Sequence, residues 1–156
     1  PAVLPEPPRR GDDGVDCGSC AAGTTGAVWY DDRWKVVAPA EPLAIPAVLR
    51  CPIAHHDLDT LDVGLAREMG FASWRVERAL RALGGVGRVH VNRWGDGGAH
   101  LHLWFFARPE GVLQLRGSSL SDWTDCLPPM PDAEWRATMA AVAADLAELG
   151  GTPQAR

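Results

Sequence analysis

Cys17-Gly-Ser-Cys20 sets two thiols on either side of a Gly-Ser pair. A tight turn there can aim both sulfurs at one point, as a tetrahedral zinc ion requires; the same spacing also serves a redox pair or a disulfide. Zinc needs two further nitrogen or sulfur ligands, and the candidates are His55, His56, His90, His100 and Cys51. A second arrangement is His100-Leu-His102, inside the apolar run AHLHLWFFARP. In a strand, side chains alternate between faces, so His100, His102, Trp104, Phe106 and Arg108 share one side. Leu101, Leu103, Phe105 and Ala107 share the other, which is uniformly apolar and must face a core. The histidine side is mixed and suits the floor of a pocket.

The elements that must position these groups follow from hydrophobic period and turn chemistry. Residues 27–32 and 33–39 are short strand-like runs around Asp-Asp-Arg, a hairpin signal. Residues 45–51 form a third strand, ended by Pro52. From 58 to 83 the apolar residues Leu58, Leu61, Leu65, Met69, Val76, Leu80 and Leu83 keep a helical period. Asp57 is its expected N-cap and Gly84-Gly85 its stop, and Gly70 is expected to divide or kink it. A fourth strand runs over 86–94, the Gly-rich turn over 95–98, and the fifth strand over 99–109, an antiparallel hairpin. Residues 111–117 are expected to extend the sheet and 118–131 to form a loop. Residues 132–150 form a C-terminal amphipathic helix with Asp132 near its start. Strands, helix, strands, helix describe an α+β domain on an antiparallel sheet of five or more strands, with helices packed on it.

The chain has 156 residues, long enough for one domain with a real core. We assign residues 1–14, rich in proline and charge, to a flexible leader, 15–150 to the domain and 151–156 to a disordered tail. The net charge of −5 argues against generic nucleic-acid binding, which calls for a basic surface. No stretch approaches the apolar length of a membrane span. The start of the sequence shows no basic-then-apolar signal pattern, so a reducing, cytoplasmic setting is expected and the four cysteines are expected as metal ligands or free thiols.

Three features, in this order, resemble the histidine triad superfamily, including its galactose-1-phosphate uridylyltransferase branch. They are Cys17-x-x-Cys20 ahead of the first strand, the strand VLRCPIAH closing in Pro52-x-x-His55, and VHVNRWGDGGAHLHLW, with Asn92, a Gly-rich turn and His-apolar-His-apolar. The resemblance spans about residues 17–109. It implies a histidine-triad-like fold and a structural zinc ion held by Cys17, Cys20, His55 and His100, with His56 as the alternative to His55. It implies that His102 attacks the α-phosphorus of a nucleotide ester, anhydride or phosphoramidate, forming a covalent nucleotidyl-imidazole. The attacking nitrogen must then be neutral, and the other ring nitrogen must donate to an acceptor. Asn92, the amides of Gly97 and Gly98, Trp104 and Arg108 become the substrate-binding candidates. Arg116 and the hydroxyls of 116–123 are a further polar stretch beyond the strand. The implied partner is a small phosphate ester or nucleotide, and pairing as a homodimer is a common property of the family.

Two departures matter. Most hydrolytic members carry a third histidine where this chain has Trp104, and the uridylyltransferase branch carries glutamine. Indole offers one N–H donor and no titration near neutral pH, so it cannot shuttle a proton. The aspartate that binds ribose in many members is missing from VVAPAEPLAIP, where Glu41 is the only carboxylate. These departures favour a transferase, a substrate with a good leaving group, or a catalytically silent zinc-stabilised domain that binds a nucleotide, sugar phosphate or protein. A redox protein using Cys17 and Cys20 is a further alternative. Cys51 and Cys126 read as apolar fillers, and His90 as a hydrogen-bonded core residue.

Overall fold

Asp31 builds the first hairpin. Its carboxylate accepts from the backbone N–H groups of Arg33 (2.9 Å) and Trp34 (2.7 Å), a side-chain turn that lets the chain reverse between two apolar runs. These runs are β1 (Ala27–Tyr30) and β2 (Trp34–Val37), preceded by a one-turn helix, α1 (Gly18–Ala22). The computed structural model describes residues 4–115 and 119–154; Arg116, singled out above, lies outside them. The remaining elements are β3 (Ala47–Pro52), α2 (Val63–Ala82), β4 (Val86–Asn92), β5 (Leu103–Pro109), α3 (Leu120–Cys126), α4 (Asp132–Ala147) and β6 (Thr152–Pro153). The six strands form one antiparallel sheet in the order β4-β5-β3-β2-β1-β6.

The parity of β5 divides the molecule. Phe105 and Ala107, with Leu103 at the margin, join Val28, Val36 and Val48 in the main core. That core is closed by Leu65, Val76 and Leu80 of α2 and Trp135, Met139, Val142 and Leu146 of α4. Phe106, with Trp104 beside it, lies on the opposite face in a smaller cluster with Ile45, Ala47, Leu115 and Leu120. That second face carries the candidate site. Among the described residues, no helix is long and apolar enough to cross a membrane.

Several elements differ from the sequence expectation. Helix α2 runs unbroken through Gly70, where nothing lies near the position of an added side chain. A mid-helix glycine costs only about 1 kcal/mol, and the buried stripe from Leu65 to Leu80 outweighs it. Asp62, not Asp57, caps α2, accepting from Leu65 N at 2.8 Å. Asp57 instead caps a separate 3-10 turn, Leu58–Thr60. Strand β5 starts at Leu103 rather than 99. Upstream of it the backbone leaves the β4 ladder, and the Leu101 N–H bonds to the His56 carbonyl. Residues 111–115 form turns, not strand. Residues 120–126 form helix α3 rather than loop, because Leu120 and Thr124, one turn apart, are both buried.

The ends are also more engaged than their composition implies. Arg9 binds Asp57 (2.7 Å) and the Gly95 carbonyl (3.2 Å), Arg10 bridges Gly98, and Asp12–Gly14 forms a 3-10 turn. Proline and charge read as a solvated leader only while their partners, here 48 and 86 residues away, are out of view. Thr152–Pro153 pair with β1. Gly151 permits this: a Cβ there would overlap the indole of Trp29, whose Nε1–H donates to the Gly150 carbonyl at 3.0 Å.

Candidate functional site

Three segments converge beside the end of β3. Cys17 precedes α1 and Cys20 sits within it, His55 follows β3, and His100 lies two residues before His102. One donor atom from each of Cys17, Cys20, His55 and His100 lies within 4.8 Å of every other. His100 Nδ1 is 3.4 Å from the Cys17 sulfur and 3.5 Å from that of Cys20, and His55 Nδ1 is 3.5 Å from Cys20. A tetrahedral ion with bonds of about 2.3 Å to sulfur and 2.0–2.1 Å to nitrogen sets sulfur–nitrogen separations of roughly 3.5 Å. The donors therefore already stand at zinc-like distances, and the residues fit the ion. His56 turns away, with Nδ1 3.2 Å from the Thr60 carbonyl. Cys51 is buried outside the cluster, its thiol pushed up to about 11 by burial. Cys126 is exposed on α3, and all four cysteines are free thiols.

His100 shows the tautomer a ligand needs. Its Nε2 lies 2.9 Å from the Pro52 carbonyl. A carbonyl can only accept, so Nε2 carries the proton and Nδ1 presents its lone pair to the sulfurs. Burial holds the imidazolium of His100 below the usual histidine range, which favours the neutral ring. For Cys20, burial first, then the hydrogen bond with Cys17 and the repulsion between two neighbouring thiolates, push the thiol up. A cation among the four donors reverses that preference.

His102 uses the same logic with its nitrogens exchanged. Its Nδ1 donates to the His100 carbonyl at 2.9 Å, leaving the Nε2 lone pair free. The residue lines a cleft of about 620 Å³ together with Gly97, Gly98, Trp104, Lys35 and Arg10. Trp104 stacks on Phe106 (ring centroids 5.3 Å apart, 8° between planes), and Trp94 meets both edge-on.

The other candidates lie elsewhere. Asn92 ends β4 opposite Trp104 but does not line the cleft. Arg108 shares the face of His102 by parity, yet six residues at about 3.3 Å each carry it roughly 20 Å along the strand. There its guanidinium is buried and donates to the Pro109 (2.8 Å) and Val112 (3.3 Å) carbonyls, closing the turn after β5. His90 sits opposite Phe106, and its Nε2 is buried with no hydrogen-bond partner among the described residues, not the satisfied core histidine expected. Lys35 also lines the cleft, and its one signal in the sequence is a lysine inside the apolar strand WKVV. Asp57, a cap by its sequence context, also receives Arg9 and Arg93.

No protein-family model matches the chain, and no curated protein matches it. Solved structures do. A zinc-bound histidine triad family protein from Mycobacterium smegmatis is 22% identical, with a TM-score of 0.62 over 85% of this chain and 94% of that one. A hypothetical histidine triad nucleotide-binding protein from Sulfolobus tokodaii is 14% identical, with a TM-score of 0.64 over 85% and 93%. A histidine triad protein from Marinobacter aquaeolei is 21% identical, with a TM-score of 0.63 over 83% and 93%. The chain has the histidine triad fold.

Proposed function

We propose that the chain is a histidine triad nucleotidyl hydrolase or transferase. On this reading His102 is the nucleophile, and Cys17, Cys20, His55 and His100 hold a structural zinc ion. The bond from His102 Nδ1 to the His100 carbonyl carries the reading, because in the neutral ring it turns the Nε2 lone pair to a cleft whose wall includes glycine backbone and two cations. The zinc-bound and nucleotide-binding descriptions of the M. smegmatis and S. tokodaii proteins support it.

Nε2 attacks the α-phosphorus of a nucleotide ester, anhydride or phosphoramidate. A phosphorus–nitrogen bond forms, and the bond to the leaving oxygen or nitrogen breaks, its electron pair going with the leaving group. Water, or a second acceptor in the transferase case, then attacks phosphorus and loses its proton to solvent, while the phosphorus–nitrogen pair returns to Nε2. Amides of Gly97 and Gly98 approach the phosphate oxygens, and Arg10 offsets their charge. Trp104 supplies no proton, so the substrates are those with good leaving groups, such as dinucleoside polyphosphates. Cys17, Cys20, His55 and His100 would hold the zinc ion, which would serve a structural part by fixing His100, whose carbonyl orients His102. Free thiols suit a cytoplasmic setting, and the outer strand β4 offers an edge for a homodimer, which light scattering tests.

The test is rapid quenching with a dinucleoside polyphosphate, followed by mass spectrometry. A nucleotidyl adduct on His102 is expected, absent in His102→Ala while zinc content stays unchanged; normal turnover by that variant overturns the mechanism. Trp104, packed against Trp94 and Phe106 at the cleft, favours one second reading, a silent domain that binds a nucleotide or sugar phosphate. It predicts thermal stabilisation by nucleotide with no turnover and no adduct.

A further inference from the structure

Lys35 is the residue the proposed chemistry explains least. It lies on β2 opposite Cys51, only 2% exposed, and among the described residues every ion pair is made by an arginine, none by this lysine. Burying an ammonium costs several kcal/mol unless partners offset it. Its partners are two carbonyls, Ser19 O at 2.7 Å and Gly23 O at 2.6 Å.

Those carbonyls bracket Cys20. Ser19 precedes it, and Gly23 closes α1 through its own N–H to the Cys20 carbonyl at 3.1 Å. Helix α1 has five residues, too few to hold itself together in water. Carbonyls at a helix end lack intrahelical partners, and a cation there is favoured by the helix dipole as well as by the hydrogen bonds. One ammonium therefore staples both sides of the turn that carries the second sulfur, from a strand in the middle of the sheet.

We propose that Lys35 is a positioning residue of the metal centre, holding the Cys17–Cys20 turn so that both sulfurs face His55 and His100 before an ion binds. This rests on the reading of those four residues as metal ligands. It assigns to Lys35 an outer-shell role, of the kind whose loss costs about 10–100-fold in metal affinity.

Zinc competition with a chromophoric chelator and the visible spectrum of the cobalt-substituted full chain test it. Wild type is expected to bind one ion and to show tetrahedral cobalt bands. Lys35→Met is expected to bind at least about 10-fold more weakly, with shifted or weakened cobalt bands, and Lys35→Arg, which retains paired donors, to recover most of both. A Lys35→Met chain with wild-type affinity and bands overturns the role of Lys35, even if turnover falls; Lys35 would then act on a ligand in the cleft. A wild type that takes up no zinc overturns the metal reading itself. Hydrogen exchange on the chelator-treated wild type needs no variant to fold. The amides of Ala21 and Gly23 should stay protected without metal, and free exchange there until zinc is restored overturns the proposal.

Discussion

The carbonyl of His100 accepts the Nδ1–H of His102 at 2.9 Å, while the ring of His100 stands 3.4 Å from the Cys17 sulfur. One residue thus serves two centres, its ring joining the four-donor cluster and its backbone setting the tautomer of its neighbour. Substitutions on the two sides should separate accordingly. His102→Ala should lose at least about 10³-fold in kcat with one zinc still bound per chain, whereas Cys17→Ser should lose zinc and turnover together. Metal analysis alongside steady-state kinetics checks both. A Cys17→Ser protein that binds no zinc yet turns over normally would break the link.

Removing the metal should loosen the N-terminal third without unfolding the domain. The main core lies on the other face of the sheet, between β-strands and α2 and α4, and contains none of the four donors. Chelation should therefore lower Tm by roughly 5–15 °C, the equivalent of a few kcal/mol for a chain of this size. The far-UV circular dichroism should survive, and added zinc should restore Tm. Calorimetry with and without chelator decides it; an unchanged Tm would mean the four donors hold nothing.

Much of this fold is legible because local pattern and global placement agree. The hairpin of β1 and β2 shows two apolar runs around an aspartate turn, and the alternation in LWFFA assigns Phe105 to the main core and Phe106 to the site face as the structure has them. What is not legible depends on partners distant in sequence. Helix α3 has only Leu120 and Thr124 facing inward, and it forms because Ile45 and Phe106 wait for Leu120. Strand β6 is two residues, one a proline, and exists because Gly151 can lie flat against Trp29. For Arg108, parity gives the correct face but says nothing of distance along the strand. Lys35 stands out as a lysine in an apolar strand and Asp57 as a cap, but only the chain crossings reveal what they hold.

Asp57 should give the protein a measurable acid sensitivity. Burial raises its pKa, but hydrogen bonds from Arg9, the Leu58 amide and Arg93 prevail and hold the carboxyl at about 2, below its ordinary 3.8. A depressed folded-state value means that the stabilisation is fully present above about pH 4 and is lost as pH falls from there towards 2. Asp57→Asn keeps a capping side chain but removes the charge. It should cost about 1–2 kcal/mol at pH 7, and the gap to wild type should narrow across that window. Urea titrations of both proteins at pH 7, 4 and 2.5 measure it, the difference cancelling any loss of metal common to both. A gap that does not depend on pH would place the cost elsewhere.

Arg50 points the other way. It is 1% exposed, and none of its three side-chain nitrogens has a hydrogen-bond partner among the described residues; its guanidinium lies 4.2 Å from the Trp34 ring centre. Burial lowers its pKa to about 10. An unpaired buried cation is a cost that one aromatic face does not fully offset. Arg50→Met, which keeps an unbranched stem, should stabilise the chain by about 1–3 kcal/mol at pH 7. Because the folded-state value is depressed for a base, wild type should gain stability as pH rises above 10 and the advantage of the variant should shrink. Denaturation at pH 7 and 10.5 checks the sign.

Trp104 decides what kind of leaving group the cleft tolerates. It stands two residues after the proposed nucleophile, shares its cleft and is stacked on Phe106. An indole has no proton to give near neutral pH, so turnover should depend steeply on how well the leaving group carries negative charge. Trp104→His places a titratable ring there. With nucleotidyl substrates ranked by leaving-group pKa, wild type should cleave anhydrides and fail on alkyl amines and alcohols. The variant should flatten that dependence by gaining roughly 10²–10⁴-fold on the poor leaving groups, the ordinary contribution of a general acid. A flat dependence in wild type would show that another group already supplies the proton. Activity appearing only in the variant, on every substrate, would instead favour the silent binding domain, with Trp104 as the residue that closed off catalysis.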